Sequence, residues 1–68
     1  MSMQVTVNGD PRTVPEPTSV EQLVQLLELK KERIAVELNR DIVPRSRWET
    51  VALKPGDDLE IVHFVGGG

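Results

Sequence analysis

Leu59-Glu60-Ile61-Val62-His63-Phe64-Val65-Gly66-Gly67-Gly68 joins an alternating apolar strand directly to three glycines. The alternation sets Leu59 and Ile61 on one face and Glu60 and Val62 on the other, the period of a half-buried strand that leaves its sheet near Phe64. Glycines bury no side chain and lose the most backbone entropy on ordering, so the fold itself gains nothing from three of them. Lacking Cβ atoms, they can enter a channel too narrow for side chains, reaching about 10 Å for three residues at ~3.3–3.6 Å each. What they present is the carboxylate of Gly68. Taken alone, a triple glycine is equally a frayed terminus, so its meaning depends on what precedes it.

Immediately upstream, Lys54-Pro55-Gly56-Asp57 has Pro and Gly at the central positions that a type II turn favours, and it launches the final strand. At the other end of the chain, Met3, Val5 and Val7 alternate with Gln4, Thr6 and Asn8 as in a first half-buried strand. Asn8-Gly9 tolerates positive φ and predicts a hairpin returning through Arg12, Thr13 and Val14, with Pro11 lengthening the loop beyond two residues and Pro15 and Pro17 ending the strand. Thr18 and Ser19 are both N-cap candidates, with Glu21 and Gln22 at capping-box distance. Val20, Leu23, Val24 and Leu27 then follow the i, i+3, i+4, i+7 spacing of an amphipathic helix, with Leu26 widening the stripe and Lys30 and Lys31 at its C-terminal end. Ile34, Val36 and Leu38 alternate inward as a third strand, and Asn39-Arg40-Asp41 turns the chain into a short Ile42-Val43 strand that Pro44 stops. From Arg45 to Glu49 the spacing predicts a loop with one helical turn, a Ser46/Glu49 capping box and Trp48 folded onto the core.

A chain of 68 residues with no cysteine is one small domain stabilised by packing alone, without disulfides or thiolate metal sites. The absence of thiols fits a reducing compartment, and any sulfur handled must come from elsewhere. Met1-Ser2-Met3-Gln4 carries no basic segment leading into an apolar run, and no run approaches the ~18 residues that span a bilayer. A cytoplasmic protein with no membrane association is expected. A net charge of -3 with only two aromatic side chains, Trp48 and Phe64, argues against nucleic acid, which calls for a basic face and stacking rings. Proteins are the expected partners.

The order strand, strand, helix, strand, short strand, strand predicts an α+β fold: a ubiquitin-like β-grasp with a mixed sheet of four to five strands packed on one main helix. Residues 1–65 form the domain and residues 66–68 a flexible C-terminal glycine tail in this reading. The sequence resembles the ThiS family, the small sulfur carrier proteins of thiamine biosynthesis. The likeness covers nearly the whole chain. It rests on Glu37-Leu38-Asn39-Arg40-Asp41-Ile42-Val43-Pro44-Arg45 followed by Trp48, on Pro55-Gly56-Asp57, and on Glu60-Ile61-Val62-His63-Phe64-Val65 running into the glycines. The general pattern needs two glycines, so the function is carried onto Gly67 and Gly68, with Gly66 as an additional tail residue.

No catalytic constellation is visible in the chain itself. His63 has neither a cysteine nor a serine and acid at suggestive spacing, and one histidine among scattered carboxylates makes no metal site. His63 is read as a packing or rim residue, Asp57 and Asp58 as turn caps, and Arg40, Arg45 and Arg47 as solvated or paired with Asp41 and Glu49, a partner contact being the alternative. The resemblance implies that a ThiF-like adenylating enzyme activates the Gly68 carboxylate with ATP and that sulfur from a persulfide donor replaces AMP. A ThiG-like thiazole synthase would then take the sulfur from the resulting thiocarboxylate. Such a chain is not an enzyme and binds no cofactor of its own. Gly67 and Gly66 would thread the tail, and Val62, Phe64 and Val65 would form an apolar docking patch at its exit. The rival readings are a ubiquitin-like modifier joined to lysines through Gly68, a sulfur carrier for molybdopterin, and a plain binding module.

Overall fold

The computed structural model describes residues 1–64; Val65, Gly66, Gly67 and Gly68, and with them the expected domain boundary and tail, lie outside the described residues. Strand β1 (Ser2–Val7) pairs antiparallel with β2 (Asp10–Pro15) in the register Val7↔Asp10. The connecting loop is therefore Asn8-Gly9 alone, with φ of 51° and 85°, the double left-handed geometry of a type I′ turn. The loop expected to be lengthened by Pro11 is not longer. Pro11 sits opposite Thr6, and the Thr6 N–H points the other way, to the Asp57 carbonyl at 2.9 Å. The missing N–H of Pro11 thus faces the open edge, where no ladder bond is lost.

Ser19 caps helix α1 (Val20–Leu26) in a complete capping box with Gln22. Thr18, the other candidate, is buried and gives its hydroxyl to the Pro15 carbonyl. The box satisfies the amides of Ser19 and Gln22, while those of Val20 and Glu21 donate to the Val51 and Trp48 carbonyls. No amide at this helix start is orphaned. Val20, Leu23 and Val24 are buried and Leu27 partly so, but Leu26 is exposed, which corrects the wider stripe. At ~100° per residue Leu26 lies about 110° from the centre of the other four. The helix also stops earlier than expected. Glu28 takes φ of 57°, and the Glu28 and Leu29 amides bond back to the Gln25 and Val24 carbonyls, which is a Schellman ending. Lys30 and Lys31 consequently lie beyond the helix, Lys31 in a 3₁₀ turn (Lys31–Arg33).

Strand β3 (Ile34–Leu38) leads through a second left-handed pair, Asn39 and Arg40, into β4 (Asp41–Ile42). A 3₁₀ turn (Arg45–Arg47) follows, started by Pro44 with no side-chain cap, so the expected Ser46/Glu49 box does not form. It serves to turn Trp48 inward: the indole is buried and donates from Nε1 to the Val43 carbonyl at 2.8 Å. Strand β5 (Asp58–His63) then enters the middle of the sheet, whose order is β2-β1-β5-β3-β4. It runs parallel to β1 and antiparallel to β3, and α1 covers one face. This is the mixed α+β β-grasp that the element order predicted. Among the described residues no helix is long and apolar enough to cross a membrane.

Candidate functional site: the root of the glycine tail

The last described residue, Phe64, is held by its amide to the Arg33 carbonyl at 2.9 Å, one step past β5. The end of β5 therefore lies beside β3, beyond the last pairing of β1 with β5 at Val7↔Leu59. Two devices hold β5, one at its start and one at its middle. The Asn39 amide nitrogen donates to Asp57 Oδ1, and its oxygen accepts the Asp58 amide, each at 3.0 Å. Asp57 Oδ2 also accepts the Lys54 amide at 2.7 Å, which closes the turn around Gly56, at φ of 86°. Asp57 is thus the turn cap foreseen from the sequence. The second device was not foreseen. Asn8 lays its side-chain amide along β5, accepting from the Ile61 N–H at 2.7 Å and donating to the Ile61 carbonyl at 3.2 Å. It takes over where the parallel pairing of β1 ends at Val7↔Leu59.

Along β5, Leu59 and Ile61 are buried and the alternate residues face solvent. Val62 and Phe64, two of the residues expected to form a docking patch, are 51% and 57% exposed; Val65, the third, lies outside the described residues. The register adds residues that the linear sequence did not single out. Ala35 is opposite Val62, Glu37 opposite Glu60, and Ile42, 71% exposed, opposite Glu37. On the helix side of the exit, His63 joins Glu28, Leu29, Lys30 and Arg33 around an open hollow of about 320 Å³. His63 is exposed, a rim residue.

The arginines do not act as a group. Arg45 donates to the Ile34 carbonyl at 3.1 Å, and its guanidinium lies 5.6 Å from the centre of the Trp48 ring, a cation–π distance. Among the described residues the one ion pair is Lys31–Glu21 at 3.5 Å, so the expected pairing of arginines with Asp41 and Glu49 is not formed. Gly66, Gly67 and Gly68, the residues expected to thread and react, lie outside the described residues.

Comparison with known proteins places this arrangement. The ThiS family model matches residues 5–68, a span that includes all three terminal glycines. The crystal structure of the thiamine biosynthesis protein ThiS from Geobacter metallireducens superposes with a TM-score of 0.85 at 38% identity, covering 97% of this chain and 100% of that one. The sulfur carrier protein ThiS of Bacillus subtilis is 35% identical over 91% of this chain and 96% of its own length. A thiazole synthase of Paramagnetospirillum magneticum is 42% identical over 97% of this chain, which spans only 20% of that longer protein. Fold, family model and similar proteins agree: the chain belongs to the ThiS family.

Proposed function

We propose that this protein carries sulfur on its Gly68 carboxylate for assembly of the thiazole of thiamine. The observation that carries the reading is the family match, which runs through residue 68, together with similarity to a sulfur carrier over nearly its full length. An α-carboxylate has a pKa of about 3.3–3.7, is ionised at neutral pH and is a poor electrophile. Activation must come first. A ThiF-like partner joins the carboxylate to AMP from ATP, releasing pyrophosphate. The terminal sulfur of a persulfide attacks the carbonyl carbon and AMP leaves. A thiol then cleaves the S–S bond reductively, freeing the thiocarboxylate, and a ThiG-like thiazole synthase consumes it.

In this reading the chain supplies delivery rather than catalysis. Val62, Phe64 and Val65 dock the partner, and Gly66 and Gly67 pass where a Cβ would collide. Incubation with ATP, the adenylating enzyme and a persulfide should raise the intact mass by the difference between sulfur and oxygen, localised to Gly68. Omitting ATP or amidating Gly68 should abolish the change. Conjugates to lysines of other proteins would support the modifier instead, and full biological activity of the amide-capped protein would eliminate both.

A further inference from the structure

The chain has two asparagines, Asn8 and Asn39, and the fold uses them alike. Each opens a left-handed pair, Asn8 with Gly9 and Asn39 with Arg40. Each has both side-chain amide atoms engaged: Asn8 with the N–H and carbonyl of Ile61 at 2.7 and 3.2 Å, Asn39 with the Asp58 amide and the Asp57 carboxylate at 3.0 Å. The residue that follows separates them. An asparagine side-chain amide can be attacked by the backbone nitrogen of the next residue, and a Cβ on that residue obstructs the approach. Glycine has none. A Cβ built at Gly9 would meet nothing within 4 Å, so the space around it is open. Among the described residues no backbone carbonyl accepts from the Gly9 N–H. Both Asn8 and Gly9 are exposed to water. The nucleophile is thus free, and what the fold restrains is the electrophile. The Asn8 side chain is drawn across to β5, and its backbone amide is tied to the Leu59 carbonyl at 2.9 Å.

We propose that Asn8 is a site of covalent modification by deamidation, gated by its two bonds to Ile61. While those bonds hold, Cγ is kept from the Gly9 nitrogen. When they open, the Gly9 nitrogen gives up its proton to hydroxide and bonds to Cγ; the bond from Cγ to the side-chain nitrogen breaks, and ammonia leaves a succinimide ring behind. Water then adds to one of the two ring carbonyls and opens the ring to aspartate or isoaspartate. The balance is one water consumed and one ammonia released, with no oxidation or reduction. Either product damages the seam between β1 and β5. Aspartate turns an oxygen toward the Ile61 carbonyl where an N–H had donated, and isoaspartate adds a carbon to the main chain of a turn that closes with φ of 51° and 85°. Ile61 belongs to β5, the strand that runs into the glycines. A transient opening of the seam is thereby made permanent, whatever chemistry Gly68 undergoes.

The test incubates full-length protein at mildly alkaline pH, folded and in concentrated guanidinium chloride, and maps the products by peptide mass spectrometry. Asn8 should gain the mass difference between a hydroxyl and an amino group, roughly tenfold or more faster in denaturant than in the fold, because the two bonds must open first. In denaturant Asn39 should lag far behind Asn8, and Gly9→Ala should slow Asn8 toward the rate of Asn39. The modified fraction, separated from the parent by its added negative charge, should melt at a lower temperature and exchange the Ile61 amide hydrogen faster. Equal rates at Asn8 in folded and denatured protein would overturn the gate. Asn8 that stays intact in denaturant, or reacts no faster there than Asn39, would overturn the site. A modified fraction as stable as the parent would overturn the consequence for β5.

Discussion

Asn8 continues the pairing of β1 with β5 after the main chain has turned away. Its side chain accepts from the N–H and donates to the C=O of Ile61, a residue 53 positions along the chain, while its own backbone holds φ of 51° for the turn. These roles can be separated. Asn8→Gly keeps the left-handed turn and removes only the two bonds, and should cost about 1–3 kcal/mol, the cost of leaving partly buried backbone groups unpaired. Asn8→Ala should cost about 1 kcal/mol more, because a Cβ is strained in that region. Denaturant titration measures both, and faster hydrogen exchange at the Ile61 amide would localise the effect. Equal stabilities of parent and Asn8→Gly would show that solvent replaces the side chain fully. The Asn8-Gly9 turn was legible in the sequence because positive φ is a local demand. The bridge to Ile61 was not, because nothing local records a partner that distant.

At the scale of an element, α1 shows how far periodicity reaches. The spacing of Val20, Leu23, Val24 and Leu27 located the helix and its core face, and Ser19/Gln22 its start. The end was misread because the stop is made by Glu28 in a left-handed conformation, a position where glycine or asparagine is the usual signal. Glu28→Gly should relieve that strain and stabilise the domain by about 0.5–1 kcal/mol, after allowing for the greater entropy of glycine in the unfolded chain. A rise in melting temperature of about 2–6 °C is expected for a domain this small. A fall would mean that the carboxylate, beside Lys30 and Arg33 at the hollow, contributes more than the backbone costs. The segment from Trp48 to Leu53 has no period to read. Its order comes from bonds to the helix start: Trp48 and Val51 carbonyls on α1 amides, and the Leu53 amide on the Thr18 carbonyl.

For the molecule as a whole, strand order decides which residues of the last strand are buried and which meet solvent. Placing β5 between β1 and β3 buries Leu59 and Ile61 at the centre of the sheet and leaves the exit residues Val62 and Phe64 exposed. The element order and the resemblance together pointed to this topology; the facing of Glu37 and Glu60 required the register between β3 and β5, which a linear reading cannot supply. The proposed function would divide the labour between a body that folds and a tail that reacts. The core includes Leu23, with no exposed surface, and extends through Ile61. Glycines add no apolar area to it. Removing Gly66–Gly68 should therefore change stability by less than about 0.5 kcal/mol, while abolishing the ATP-dependent mass change. Leu23→Ala is the reciprocal case: it should cost about 2–5 kcal/mol through lost burial and a cavity, yet leave the chemistry at Gly68 intact in whatever fraction remains folded. Thermal denaturation and intact mass on the same two samples measure both arms. A truncated protein that melts substantially lower would place the glycines in the fold, and their charge-terminated end could then no longer be treated as a freely presented substrate.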